Sequence, residues 1–194
     1  KKLGEGATGS VSKVINKKTE ERSALKQLKN RYFAEHQASI FLRELIILES
    51  LEHPNILELK DVYMDKDGFY IETAYYNGGE LFDKIAKAKN FNEKQAINYL
   101  VPLLNGVTYI HSKGFVHRDL KPSNIVFDSD GVLKIIDFGT AEIVVDDDIY
   151  EYNKNEPIGT ELFCSPEWEN DRTGYELKKS DIWAVGIIAY IILT

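Results

Sequence analysis

Apolar and polar residues alternate with the two-residue period of half-buried strands at Leu3 to Glu5, Ser10 to Lys17 and Ser23 to Leu28, with turn-type residues between. The period then lengthens. Phe41, Leu45, Leu48 and Leu51 recur every three to four residues and predict a helix, which His53-Pro54-Asn55 closes because proline disfavours helix at the residue before it. Two further strands are expected at Leu57 to Met64 and Phe69 to Thr73, joined by a hairpin turn at Asp65-Lys66-Asp67-Gly68.

Beyond Asn77-Gly78-Gly79 the pattern becomes helical. Asn92 is placed to cap a helix whose apolar face is read as Ile97, Leu100, Leu104, Val107 and Ile110. Pro102 lies inside that segment, where it costs about 3 kcal/mol or kinks the helix. The stretch from His117 to Glu167 is loop-rich, and a last helix starts near Lys178. In that helix Ile182, Trp183, Val185, Ile187, Ile188, Ile191 and Ile192 leave almost no polar face, so neighbours are expected on every side, some of them from helices beyond Thr194. Its apolar run, Ile182 to Leu193, is shorter than the roughly 20 residues of a membrane span. A strand-rich first lobe and a helical second lobe follow, divided at Ala74 to Gly78.

Composition narrows the classes. Over 194 residues, 43% are hydrophobic and 28% charged, the balance of a chain able to bury a core. The net charge of −7 opposes a nucleic-acid footprint and fits a basic partner better. The single cysteine, Cys164, forms no internal disulfide, and no Cys/His cluster has metal-ligand spacing. A thiol in a reducing cytoplasm, or a nucleus, is the expectation. Lys1-Lys2-Leu3-Gly4 reads as the interior of a longer chain.

The chemistry gathers in a few blocks. Gly4-Glu5-Gly6-Ala7-Thr8-Gly9-Ser10-Val11 is a glycine-rich turn whose backbone N–H groups can approach phosphates. Strand character continues after Gly9, against the helix that a dinucleotide-binding turn would open. Ala24-Leu25-Lys26 sets a lysine on an apolar strand. His117-Arg118-Asp119-Leu120-Lys121-Pro122-Ser123-Asn124 is followed by Ile135-Ile136-Asp137-Phe138-Gly139. In this order the blocks resemble the protein kinase domain, its catalytic loop and its metal-binding Asp-Phe-Gly motif. Arg43-Glu44, Gly159-Thr160, Ser165-Pro166-Glu167 and Asp181-Ile182-Trp183 extend the resemblance over the whole chain.

The resemblance implies an α+β, two-lobed fold: a small antiparallel sheet with one helix at 1–77, hinge included, and a mainly helical lobe at 78–194, incomplete after the helix near Asp181. It implies ATP and Mg²⁺, with Mn²⁺ as a substitute, and transfer of the γ-phosphate to protein hydroxyls. Asp119 would orient the hydroxyl and accept its proton, Asn124 and Asp137 would ligate the metal, Lys26 paired with Glu44 would hold the α- and β-phosphates, and Lys121 would reach the γ-phosphate. Leu3, Gly4, Gly6, Gly9, Val11, Ala24, Thr73, Ala74, Tyr76, Glu80 and Val126 would line the nucleotide cleft, with Thr73 as the gatekeeper. The side chains of Tyr75, Tyr76 and Met64 are read as packing, His117 as a structural residue of the loop, and His36, His53 and His111 as surface or packing histidines.

Lys121 and Gly159-Thr160 resemble serine/threonine kinases, and Gly78-Gly79-Glu80-Leu81-Phe82 the calcium/calmodulin-dependent group with its calcium-dependent relatives. Partners implied are a Ser/Thr protein substrate with a basic residue upstream, an upstream kinase and a calcium-linked regulator. Arg118 would answer to a phosphate on the activation segment, at Tyr150 or Tyr152, or to the charge of Asp146-Asp147-Asp148. Thr160 is expected to contact substrate, and Glu167 to seek a buried arginine. Thr8, Ser123 and Ser165 depart from the usual pattern without removing a catalytic group. A nucleotide-binding pseudokinase or scaffold is the alternative, and its signature, loss of Lys26, Asp119, Asn124 or Asp137, is missing.

Overall fold

A computed structural model describes residues 1–6, 9–29, 35–88, 91–144, 159–167 and 176–194. Strands β1 (Lys2–Gly6), β2 (Gly9–Ile15), β3 (Arg22–Lys29), β4 (Leu59–Asp65) and β5 (Gly68–Ala74) form one antiparallel sheet in the order β1-β2-β3-β5-β4. The β4–β5 hairpin turns where the sequence places it, with Asp65 Oδ1 accepting from the N–H groups of Asp67 and Gly68. Met64 corrects the packing reading: it sits on the edge strand with 72% of its surface exposed.

Helix α1 (Glu35–Ser50) buries Phe41, Ile47 and Leu48 in the same apolar cluster as Leu28 and Ile71 of the sheet. Helix α2 (Leu81–Lys87) precedes α3 (Glu93–Ser112), whose start is fixed by a capping box. Asn92 Oδ1 accepts from Gln95 N at 2.9 Å, and Gln95 Oε1 accepts from Asn92 N at 3.0 Å. The helix continues through Pro102. Its buried face is Ala96, Leu103, Gly106, Val107 and Ile110, whereas Ile97 is 56% and Leu104 41% exposed. The face is therefore rotated from the one read in the sequence. Gly106 supplies the reason: a Cβ there would stand 2.7 Å from Ile135 Cδ1, so the absent side chain lets this side of α3 close on its neighbours.

Short pairs complete the second lobe: β6 (Phe115–Val116) with β9 (Glu142–Ile143), and β7 (Ile125–Phe127) with β8 (Leu133–Ile135). Helix α4 (Leu177–Leu193) packs on α3 through Ala184, Val185, Ile188 and Ile192. Its opposite side, Ile182, Trp183 and Tyr190, is exposed among the described residues. Among those residues no helix is long and apolar enough to cross a membrane.

Candidate active site

Strand β3 places Lys26 opposite Val11 on one side and Ile71 on the other. Its ammonium reaches across to α1 and donates to both carboxylate oxygens of Glu44, at 2.7 and 2.6 Å. Glu44 is only 4% exposed. Burial pushes its carboxyl above the ordinary carboxylate range; Lys26 pulls it back and Asp137 adds to the rise. Gly139 sits against this group, since a Cβ on it would meet Asp137 Oδ1 and Lys26 Nζ, each at 3.3 Å. A side chain there would crowd the ion pair, which gives the glycine after Asp137-Phe138 a packing reason.

The second network grows from the loop after β6. Asp119 Oδ2 accepts from Lys121 Nζ at 2.6 Å and from Asn124 Nδ2 at 3.2 Å. Asp119 Oδ1 accepts from the Thr160 hydroxyl at 2.8 Å, and Lys121 also donates to that hydroxyl at 2.8 Å. Three side chains from two segments thus converge on one carboxylate. Arg118 and Asp137 hold φ angles of 66° and 65°, uncommon for residues with a Cβ and typical of backbone held by its surroundings at working sites.

What holds the loop is Asp181, in the second turn of α4 and 2% exposed. Its carboxylate accepts from the backbone N–H groups of His117 and Arg118, both at 2.9 Å, and pairs with His111 Nε2 at 2.8 Å. His111 is therefore no simple packing residue: its Nε2 is hydrogen-bonded to the group that anchors the loop. A carboxylate directly before the apolar run of the last helix was the available signal for Asp181. His117 is fully buried, with Nε2 at 3.0 Å from Ile136 O and its ring edge-on to Phe138, as a structural residue would be. His53 stacks on Tyr109, and its Nδ1 accepts from Asn55 N.

Among the residues expected to line the nucleotide site, Gly9 has a φ of 156°, and a Cβ on it would lie 2.2 Å from Gln27 O, so only glycine fits. Gly6 pairs with Gly9 across the turn, Leu3 and Gly4 are exposed, and open space surrounds Gly4. Ala24 pairs with Thr73, whose hydroxyl lies 3.5 Å from Ala24 O and which is 8% exposed. Ala74 N donates to Glu58 O at 2.9 Å. The Tyr76 hydroxyl accepts from Glu58 N, and its ring lies under Lys134, while Tyr75 lies under Lys13. Val126 bridges to Glu80, which is exposed at the start of α2 and makes no capping bond with its side chain.

Asp137 is exposed, and the Asn124 amide nitrogen is committed to Asp119, so its bonds to Asp119 do not use Oδ1. Two hard oxygen donors without a cage of carboxylates suit a cation that keeps waters and phosphate oxygens. Among the described residues no group of three or more His, Cys, Asp or Glu forms a metal cluster.

Arg118 does not stand open for a phosphate. Its Nε donates to Thr140 O at 2.6 Å, and its Nη2 lies 3.4 Å from Glu142 Oε2, which also accepts from Arg43 Nη1 at 2.5 Å. Glu142 was missed in the sequence because it belongs to no block. Glu167 is exposed among the described residues. Cys164 is half-buried with Sγ 3.5 Å from Thr160 O, and Ser165 is buried. Thr8, Tyr150, Tyr152 and Asp146 to Asp148 lie outside the described residues, as does the side chain of His36.

The family model described as "Protein kinase domain" matches residues 1–194. Calcium-dependent protein kinase 5 of Plasmodium berghei (strain Anka) is 36% identical over 195 residues, covering 99% of this chain and 33% of that protein. CBL-interacting serine/threonine-protein kinase 9 of Arabidopsis thaliana is 35% identical over 195 residues, covering 98% of this chain and 42% of its own length. CBL-interacting serine/threonine-protein kinase 3 of the same plant is 37% identical, covering 98% and 43%. The chain thus spans between a third and less than half the length of these relatives.

Proposed function

The chain belongs to the protein kinase domain family, and from that premise we propose that the protein it forms part of transfers the γ-phosphate of ATP to Ser or Thr hydroxyls of protein substrates. The observation that carries the reading is the convergence of Lys121, Asn124 and Thr160 on Asp119, beside an intact Lys26–Glu44 pair. The domain reading, 1–77 and 78–194, rests on a sheet that ends at Ala74 and helices that begin at Leu81.

In this reading Asp119 holds the substrate hydroxyl and takes its proton as the oxygen attacks the γ-phosphorus. The bond from that phosphorus to the β–γ bridging oxygen breaks, and ADP leaves with the bond's electrons. Lys121, two residues from Asp119 and already bonded to it, moves its charge onto the γ-phosphate. Lys26, oriented by Glu44, holds the α- and β-phosphates, while the strands bearing Gly4, Gly6, Gly9 and Val11 cover them. Ala24, Thr73, Ala74 and Val126 enclose the base. Asp137 and Asn124 would hold Mg²⁺, or Mn²⁺ in its place, which neutralises phosphate charge when bound.

Thr160, bonded to both Asp119 and Lys121, orients them and marks where the acceptor hydroxyl enters. Glu80 receives an arginine upstream of the acceptor, a reading supported by its exposure and by the lack of a capping bond from its side chain. The name of the Plasmodium berghei relative favours a calcium-linked regulator, and an upstream kinase acting on the segment beyond Val144 is a second input.

The test is transfer of labelled phosphate from ATP to a basic Ser/Thr peptide by the natural full-length protein. Asp119→Asn should abolish transfer while nucleotide binding persists, because Asp119 meets the hydroxyl and not the nucleotide. Near-native turnover of that variant would overturn the assignment. Binding of ATP without transfer by the unaltered protein would favour the scaffold alternative.

A further inference from the structure

Glu142 lies outside every motif, yet three catalytic elements meet at its carboxylate. It sits on β9, five residues beyond Asp137, where it pairs with Val116, two residues before Arg118. Its Oε2 accepts from Arg43 Nη1 at 2.5 Å and lies 3.4 Å from Arg118 Nη2. Arg43 is the α1 neighbour of Glu44, and Arg118 is the loop neighbour of Asp119. The Arg118 side chain is 4% exposed and that of Glu142 12%, so water screens this junction weakly. Arg118 is further fixed by its Nε bond to Thr140 O, and Oε1 of Glu142 accepts from Ile143 N at 3.2 Å.

We propose that Glu142 is a positioning residue for phosphoryl transfer: its carboxylate fastens α1, through Arg43, to the catalytic loop, through Arg118, and so sets Glu44 and Asp119 at their working separation. The proposal rests on the kinase reading above. Its physical ground is the connection itself. Lys26–Glu44 ties α1 to the sheet, and Asp181 ties the catalytic loop to α4, but neither ties α1 to the loop. Among the described residues the Glu142 bridge does so with side chains, and it passes through the strand that follows Asp137-Phe138-Gly139. Arg43 is hydrogen-bonded to Oε2 and Arg118 is ion-paired to the same oxygen at 3.4 Å, so this one atom fixes the distance between the two guanidiniums. Without that carboxylate, α1 is free to carry Glu44 away from Lys26, and the two guanidiniums repel each other. Displacements of about 1 Å at such a site cost on the order of a hundredfold in rate.

The test uses the natural full-length protein with Glu142→Gln, which keeps the shape and loses the charge, Arg43→Gln, the double variant, and Glu142→Asp. With a Ser/Thr peptide, Glu142→Gln and Arg43→Gln should each lower kcat about tenfold or more while peptide KM stays within about twofold. The double variant should be no worse than the weaker single, since both remove one contact, and Glu142→Asp should recover part of the loss. Amide hydrogen exchange should quicken in α1 and at 117–120 of Glu142→Gln, with the sheet unchanged. Turnover of Glu142→Gln within twofold of the unaltered protein, losses that multiply in the double variant, or exchange that quickens everywhere would each overturn the proposal. If the unaltered protein transfers no phosphate, the kinase reading fails by itself. Exchange in α1 then still decides whether Glu142 holds the helix: local quickening supports the junction, and an unchanged pattern refutes it.

Discussion

Removing Glu44 alone should cost far more stability than removing it together with Lys26, although both changes should end transfer. Glu44 is 4% exposed and the Lys26 side chain 13%, with Nζ 2.7 and 2.6 Å from the two oxygens. Two unit charges about 4 Å apart attract by about 4 kcal/mol at an effective dielectric near 20. Removing each ion from water costs several kcal/mol, so the intact pair contributes little net stability. Glu44→Ala leaves the Lys26 ammonium buried without its partner and should destabilise by about 3–5 kcal/mol. For a domain of this size that lowers the melting temperature by about 6–20 °C. Lys26→Met with Glu44→Leu removes both charges while keeping volume, and should lie between neutral and about 1–4 kcal/mol more stable than the unaltered protein. The assay is thermal melting of the kinase domain within the natural protein, beside phosphate transfer, which both variants should lose. A double variant as unstable as Glu44→Ala would refute the account, and so would a single variant costing under about 1 kcal/mol.

Acidification should stop transfer before it unfolds the domain. Burial raises the Glu44 carboxyl, so the folded state binds that proton more tightly than the unfolded chain. As pH falls from the raised value toward the ordinary one, the stability contribution of Glu44 therefore improves, while the ionised pair with Lys26 is lost; activity and melting measured across that window should diverge. Gly78→Ala should destabilise by about 1–3 kcal/mol in a melt, because its Cβ would stand 2.4 Å from Asp128 O and 2.7 Å from Phe127 O, backbone atoms that cannot swing aside. Thr73→Met should weaken inhibitors that reach behind the adenine much more than ATP, since Thr73 is nearly buried between β3 and β4; equal losses in competition binding would refute that placement. A positional peptide library should select arginine upstream of the acceptor, and Glu80→Ala should erase that selection; a flat profile unchanged by the substitution would refute the role of Glu80.

Elements whose cause is local were legible from the chain alone. The strands from Lys2 to Ala74 follow from alternation, the start of α3 from Asn92 three residues before Gln95, and the β4–β5 turn from Asp65 and Gly68. The blocks around Asp119 and Asp137 were legible for the same reason, because their residues lie within a few positions of one another. Tertiary structure decided what joins distant segments and which way faces turn. Arg43 meets Glu142 across 99 residues, Arg118 meets Asp181 across 63, and Thr160 meets Asp119 across 41. No periodicity encodes such pairs, since they exist only once β9 and α4 are packed against the catalytic loop. The inward face of α3 likewise depended on the close approach at Gly106, and the exposure of Met64 on β4 lying at the sheet edge. A side chain's own chemistry says that it seeks a partner or a core, and packing alone determines which partner lies within reach.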